Sequence, residues 1–127
     1  MIQVKHICEP ALKADGFRVL VDRAWPQAIS RYDAQIDHWL KEVAPSADLR
    51  RWFGQLSERW DEFRRRYRLE LADNTAVEEL RSLIQGRLIT VLYSARDSQR
   101  NNAMILARYL MDNPTAETAK RQARRVR

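Results

Sequence analysis

The sequence predicts an α/β fold, a small, partly parallel central sheet flanked by helices in a single compact domain. Three observations point to it. Residues 17–21 (FRVLV) and 88–93 (LITVLY) are apolar runs of strand length, as expected of strands buried on both faces. Between them lies a long stretch of helical periodicity, and strands alternating with helices build a layered α/β domain. The chain has 127 residues, one domain's worth, of which 45% are hydrophobic and 31% charged.

Residues 2–7 alternate imperfectly and predict a first strand, which Glu9-Pro10 ends because proline cannot donate to a ladder. Asp15-Gly16 is a turn signal before the second strand. The connection is short for a helical crossover, so the relative direction of these two strands stays open. Ser30-x-x-Asp33 has the form of a helix start. Asp37 is expected to cap the next helix, with Trp39, Leu40 and Val43 on one face. Leu49, Trp52 and Phe53 predict a short helix stopped by Gly54.

A longer helix is expected from Ser57, since Trp60, Phe63, Tyr67 and Leu71 form an apolar stripe. Its other face interleaves Arg64, Arg65, Arg66 and Arg68 with acids, which describes a solvated surface. Thr75-x-x-Glu78 reads as a capping box opening another helix, with Gly86 placed to end it. After the strand at 88–93, Asp97 or Ser98 is expected to cap a final helix stopped by Asn113-Pro114. The organisation is therefore a domain over residues 1–114 and a basic tail over 115–127.

The net charge of +6 belongs mainly to that tail. Residues 120–127 hold five cations (Lys120, Arg121, Arg124, Arg125 and Arg127), and without them 18 basic residues face 17 acidic ones. Such a tail holds nucleic acid by electrostatics or is simply solvated. No apolar run approaches the roughly 18 residues of a membrane span. The amino-terminal residues lack the long apolar core of a signal peptide. A single cysteine, Cys8, agrees with a reducing compartment, and the cytoplasm is the expected location.

Both confident strands deliver similar chemistry to their carboxyl ends, where open α/β sheets bind ligands. The first delivers Asp22, Arg23 and Trp25; the second delivers Ser94, Arg96 and Asp97 and opens a helix carrying Asn101 and Asn102. Arginine suits a phosphate or carboxylate because its planar fork binds two oxygens at once. Trp25 is expected to wall the pocket, and the asparagines, about one turn into the helix, to supply amide contacts. These eight residues are the candidate site for an anionic small molecule, a nucleotide or phosphorylated metabolite. The structural alternative is that Asp22 or Asp97 pairs with Arg23 or Arg96 in a bridge while Trp25 packs.

Whether the protein is an enzyme stays open: Asp22 or Asp97 is expected to orient an arginine or act as a general base, and no cofactor is expected. His6, His38 and Cys8 lack a metal-ligand spacing, and three glycines leave no room for a phosphate-binding glycine loop. The competing function is nucleic-acid binding or regulation through the tail and the arginine-rich helix, and it predicts steep salt dependence.

RVLVDRAWP at 18–26, DHWLKEVAPS at 37–46, LRRWFG at 49–54, the tryptophan-to-tyrosine run from Trp60 to Tyr67, and LYSARD followed by Asn102-Ala103 together resemble the YeaO-like family of small bacterial proteins, a domain of unknown function (DUF 488). The resemblance covers most of residues 2–110. It implies a compact α/β domain and no established activity. Similar members usually carry Arg-Gly where this chain has Gln27-Ala28, which removes a cation beside the candidate site. They commonly carry an aromatic residue at the position of Cys8, which weakens a catalytic thiol.

Overall fold

A computed structural model describes residues 1–115 together with Arg121 and Arg124. The sheet has four strands, β1 (Ile2–His6), β2 (Phe17–Leu20), β3 (His38–Trp39) and β4 (Ile89–Tyr93), in the order β1-β4-β2-β3. Every neighbouring pair is parallel, with Val4 and Val19 both in register with Val91. The expectation of a partly parallel sheet is exceeded. The open question about the first two strands resolves as parallel, because β1 and β2 flank β4 instead of pairing with each other.

β4 is central, and all five of its residues are buried. Alternation sends Ile89, Val91 and Tyr93 into the larger core and Leu92 into a smaller one, since successive side chains of a strand face opposite ways. The larger core is closed by α2 (Ala47–Phe53), α3 (Trp60–Ala72), α4 (Ala76–Ile84) and α5 (Asn102–Asp112). Phe63, Tyr67 and Leu71 form the buried stripe of α3, as their spacing requires. The smaller core joins Ile7, Leu20, Ala34 and Leu92, covered by Trp25, Ile29, Ile36 and Trp39 around the single turn α1 (Arg31–Ala34).

Three local expectations are corrected. The helix expected after Asp37 is instead the edge strand β3 followed by a 3-10 turn at Lys41–Val43. The free edge of β2 takes this segment: the Asp37 amide donates to Arg18 at 2.8 Å and the Leu40 amide to Leu20 at 2.9 Å. Thr75 makes no capping hydrogen bond; the Asn74 side chain accepts the Ala76 amide at 2.9 Å, while Glu78 pairs with Arg81. The cap of the final helix lies four residues beyond Asp97, at Asn101, whose Oδ1 accepts the Met104 amide at 2.9 Å. Other punctuation reads directly: Ser30 and Ser46 cap α1 and α2, and Gly54 ends α2 in the left-handed conformation.

Gly16 shows why the short β1–β2 connection closes. Its φ is +66°, and a Cβ there would lie 2.4 Å from the Leu88 carbonyl oxygen, so the turn can run directly against the start of β4. Gly16→Ala is expected to cost at least about 1–3 kcal/mol, because both the backbone conformation and the contact oppose a side chain. Urea denaturation checks this, and a loss within error of zero would contradict the close approach.

Candidate functional site

Because all strands run the same way, their carboxyl ends share one edge of the sheet. There the polypeptide leaving β2 meets the polypeptide leaving β4 and the start of α5. Asp22 ties the three together. Its Oδ2 accepts the Ser94 amide at 3.0 Å and the Ser94 hydroxyl at 2.5 Å, and its Oδ1 accepts Asn102 Nδ2 at 3.1 Å. Asn102 Nδ2 also donates to the Val21 carbonyl at 3.2 Å. The carboxylate is thus held by neutral donors, and neither it nor Asp97 pairs with an arginine among the described residues. The ion-pair alternative does not describe this site.

Over this tie lies a hollow of about 300 Å3 on the side of α2, α3 and α5. Asp22, Ser94, Asn101 and Asn102 form its polar floor, and Phe53 and Phe63 an apolar wall. Arg23, Arg50 and Arg100 also line it. Arg23 reaches only the Ala44 carbonyl, at 3.4 Å, and Arg50 and Arg100 join no ion pair among the described residues. Three arginines face one acid, Asp22, in this lining, so it carries net positive charge, with Asp97 of the adjoining turn acting on Arg100. The amino terminus of α5 adds to it, since its first N–H groups carry partial positive charge.

A second hollow of about 530 Å3 adjoins the first and holds Arg96 and Asp97. Asp97 closes its own turn: Oδ1 accepts the amides of Gln99 at 2.8 Å and Arg100 at 3.0 Å. Those backbone donors hold its carboxyl below the ordinary carboxylate value, against a smaller opposing effect of desolvation. Asn101 caps α5 and donates to the Asp97 carbonyl at 3.0 Å, so both asparagines stand at the first turn of the helix and not a turn inside it.

Seven of the eight candidates therefore line the two hollows. Trp25 does not. Its indole N–H donates to the Ile29 carbonyl at 2.8 Å and its ring meets Trp39 edge-on at 5.6 Å, which holds it in the smaller core on the other face of the sheet. Phe53 and Phe63 take the walling role expected of Trp25. Gln27 and Ala28 are exposed in the same excursion and line neither hollow.

Two cations escaped the sequence reading, Arg50 and Arg100. Arg50 was hidden in an ordinary helical pattern, although its neighbour Arg51 pairs with Asp48 and Arg50 forms no ion pair among the described residues. Arg100 lies in the bend between Asp97 and α5, where only the turn geometry decides its direction.

The other basic surfaces differ in kind. On α3, Arg65 and Arg66 both bond Glu62 at 2.8 Å and Arg64 meets Asp61 at 3.4 Å. Hydrogen bonds from Arg65 and Arg66 bring the Glu62 carboxyl down to about 2. That face is charge-balanced. In the tail, Arg121 and Arg124 are exposed, while Lys120, Arg125 and Arg127 lie outside the described residues. Among the described residues no helix is long and apolar enough to cross a membrane, and no group of His, Cys, Asp and Glu is placed to hold a metal ion. Cys8 is exposed beyond β1, its amide donating to His6 Nδ1 at 3.0 Å.

The family model described as the inactive DUF488-N3 subclade matches residues 1–126. The chain belongs to that subclade. Similar proteins include the uncharacterized protein Rv3073c of Mycobacterium tuberculosis (strain H37Rv), 41% identical over 109 residues that span 86% of this chain and 92% of the relative. Mb3100c of Mycobacterium bovis matches to the same extent. The uncharacterized protein YeaO of Escherichia coli K12 is 38% identical over 110 residues, covering 86% of this chain and 96% of YeaO. No solved structure matches this DUF488-N3 chain.

Proposed function

We propose that this is a cytoplasmic protein that binds a small anionic molecule, a nucleotide or phosphorylated metabolite, at the carboxyl ends of its strands. The observation that carries the reading is the set of three arginines, Arg23, Arg50 and Arg100, that line one hollow and form no ion pair within 4 Å among the described residues. Arg23, Arg50 and Arg100 are exposed, but they line one concavity whose single acid among the described residues, Asp22, is already committed to Ser94 and Asn102. A phosphate entering it would meet arginines, whose planar forks suit its oxygens, the α5 amino terminus and an apolar wall from Phe53 and Phe63.

Binding without turnover is the reading that fits the subclade's description as inactive. Among the described residues the lining of the hollow holds neither cysteine nor histidine. Asp22 already accepts three hydrogen bonds, which suits a positioning role beneath the ligand.

A thermal-shift and calorimetric screen of nucleotides and sugar phosphates tests the proposal. A ligand at 100 times its dissociation constant stabilises the fold by about 2.7 kcal/mol. Replacing Arg50 or Arg100 by alanine is expected to weaken binding by about 1.5–3 kcal/mol, the range for hydrogen bonds to charged groups. Stabilisation that persists undiminished in R23A, R50A and R100A would sink the reading.

A further inference from the structure

We infer that the ligand carries two separate anionic groups, such as a bisphosphorylated metabolite, and lies across both hollows; this rests on reading the first hollow as an anion site. The two hollows are not independent. Phe53, Gln55, Ser94, Ala95 and Arg100 line both, so they form one groove with two lobes. The cations divide between the lobes. Arg23 and Arg50 line the first, Arg96 the second, and Arg100 stands where they join.

The second lobe is positively charged despite Asp97. That carboxylate is turned onto the Gln99 and Arg100 amides, and Arg96 forms no ion pair among the described residues. An anion bound in the first lobe alone would leave Arg96 unused. A second anionic group, tethered to the first, would meet Arg96 with little additional loss of freedom, because the first group has already brought it there.

The junction suits a spacer. Phe53 and Ala95 offer apolar surface there, and Gln55 and Ser94 border it with polar groups. Gln55 has a φ of +59°, one of two non-glycine residues with positive φ among the described residues. It follows Gly54, itself at +52°, so two consecutive residues of positive φ make the turn that leaves α2. A side chain held there at a conformational cost, facing both lobes, is well placed to read the linking part of the ligand.

Calorimetry at fixed ionic strength would compare methylphosphonate with methylene-, propylene- and pentylene-bisphosphonate. The expected result is that one spacer length binds at least about tenfold tighter than methylphosphonate, the gain from tethering a second contact. R96A is expected to bring that bisphosphonate down to the affinity of methylphosphonate, and R96K to restore part of the gain. A circular-dichroism melt confirms that the variants fold. Equal affinity for mono- and bisphosphonates, or a tethering gain that survives R96A, overturns the two-lobe inference while leaving a single-anion site. Failure of every phosphonate to bind, methylphosphonate included, overturns the anion site itself and this inference with it.

Discussion

Replacing Asp15 by alanine is expected to destabilise the protein by about 3–5 kcal/mol, the cost of leaving a buried charge without its partner. Asp15 is 2% exposed and Arg18 4% exposed, on opposite sides of one short turn. Arg18 Nη1 meets the Asp15 carboxylate at 2.5 Å, and Lys5 reaches both of its oxygens at 3.0 Å. The Leu12 amide donates to the same group at 3.0 Å, and the Asp15 carbonyl accepts the Thr90 hydroxyl of β4 at 2.6 Å. One residue therefore links β1, β2, β4 and the connection between the first two strands. Against a typical total of about 5–15 kcal/mol, its loss removes a large share of the stability.

Two further measurements identify the cause. Adding Arg18→Met to Asp15→Ala is expected to recover part of the loss, because the orphaned guanidinium is then gone. The pH dependence has a definite sign. Burial raises the Asp15 pKa, but the Leu12 amide, Lys5 and Arg18 together outweigh it and hold the group below its ordinary value. A depressed folded pKa contributes stability above the unfolded value of about 3.9, lost as pH falls from there through the folded value. The stability difference between wild type and Asp15→Asn is thus expected to be largest near neutral pH and to shrink below about pH 4. A difference that is constant from neutral to acid pH would show that the carboxylate is not the stabilising species.

The second large effect falls on the wall of the groove. Phe53→Ala is expected to cost about 3–5 kcal/mol, as for other buried phenylalanines. Phe53 is 5% exposed and stacks on Phe63 with centroids 4.3 Å apart, and Trp60 packs against both rings. Removing it leaves a void beside α3 and merges the two lobes into one wide basin. Ligand affinity is expected to fall together with stability, whereas Phe53→Leu, which keeps much of the volume, is expected to lose less of each. Urea denaturation and calorimetry on the pair check this. A cost below about 1 kcal/mol for Phe53→Ala would mean that the aromatic cluster does not bear on the core as described.

The helices and the two main strands were legible because each carries its own periodicity. The α3 stripe of Phe63, Tyr67 and Leu71 and the uninterrupted apolar run of β4 needed no partner to be recognised. Segment 37–43 was misread for a complementary reason. Trp39 faces the smaller core and Leu40 and Val43 the larger one, but at this length the spacing also fits a helical face. Only the open edge of β2 decides in favour of a strand. Arg18 shows the same limit: it interrupts an apolar run, and nothing local announces that it is buried against Asp15.

In the candidate site, the similarity of the two strand ends located seven of its lining residues. It could not locate Arg50 or Arg100, since the direction of a cation depends on how helices and bends dock. Nor could it tell that Trp25 crosses to the other face. Sequence alone determined the α/β class, the main strands and helices, the near-neutral charge of the body and the end of the sheet where arginines collect. These follow from composition and short-range spacing, which each segment carries within itself. The tertiary structure decided the wholly parallel order β1-β4-β2-β3, the commitment of Asp22 to Ser94 and Asn102, and the grouping of Arg23, Arg50 and Arg100 on one hollow. Those depend on pairings between residues tens of positions apart, where the free energy lies in burial and hydrogen bonding between segments and leaves no periodic trace in either one.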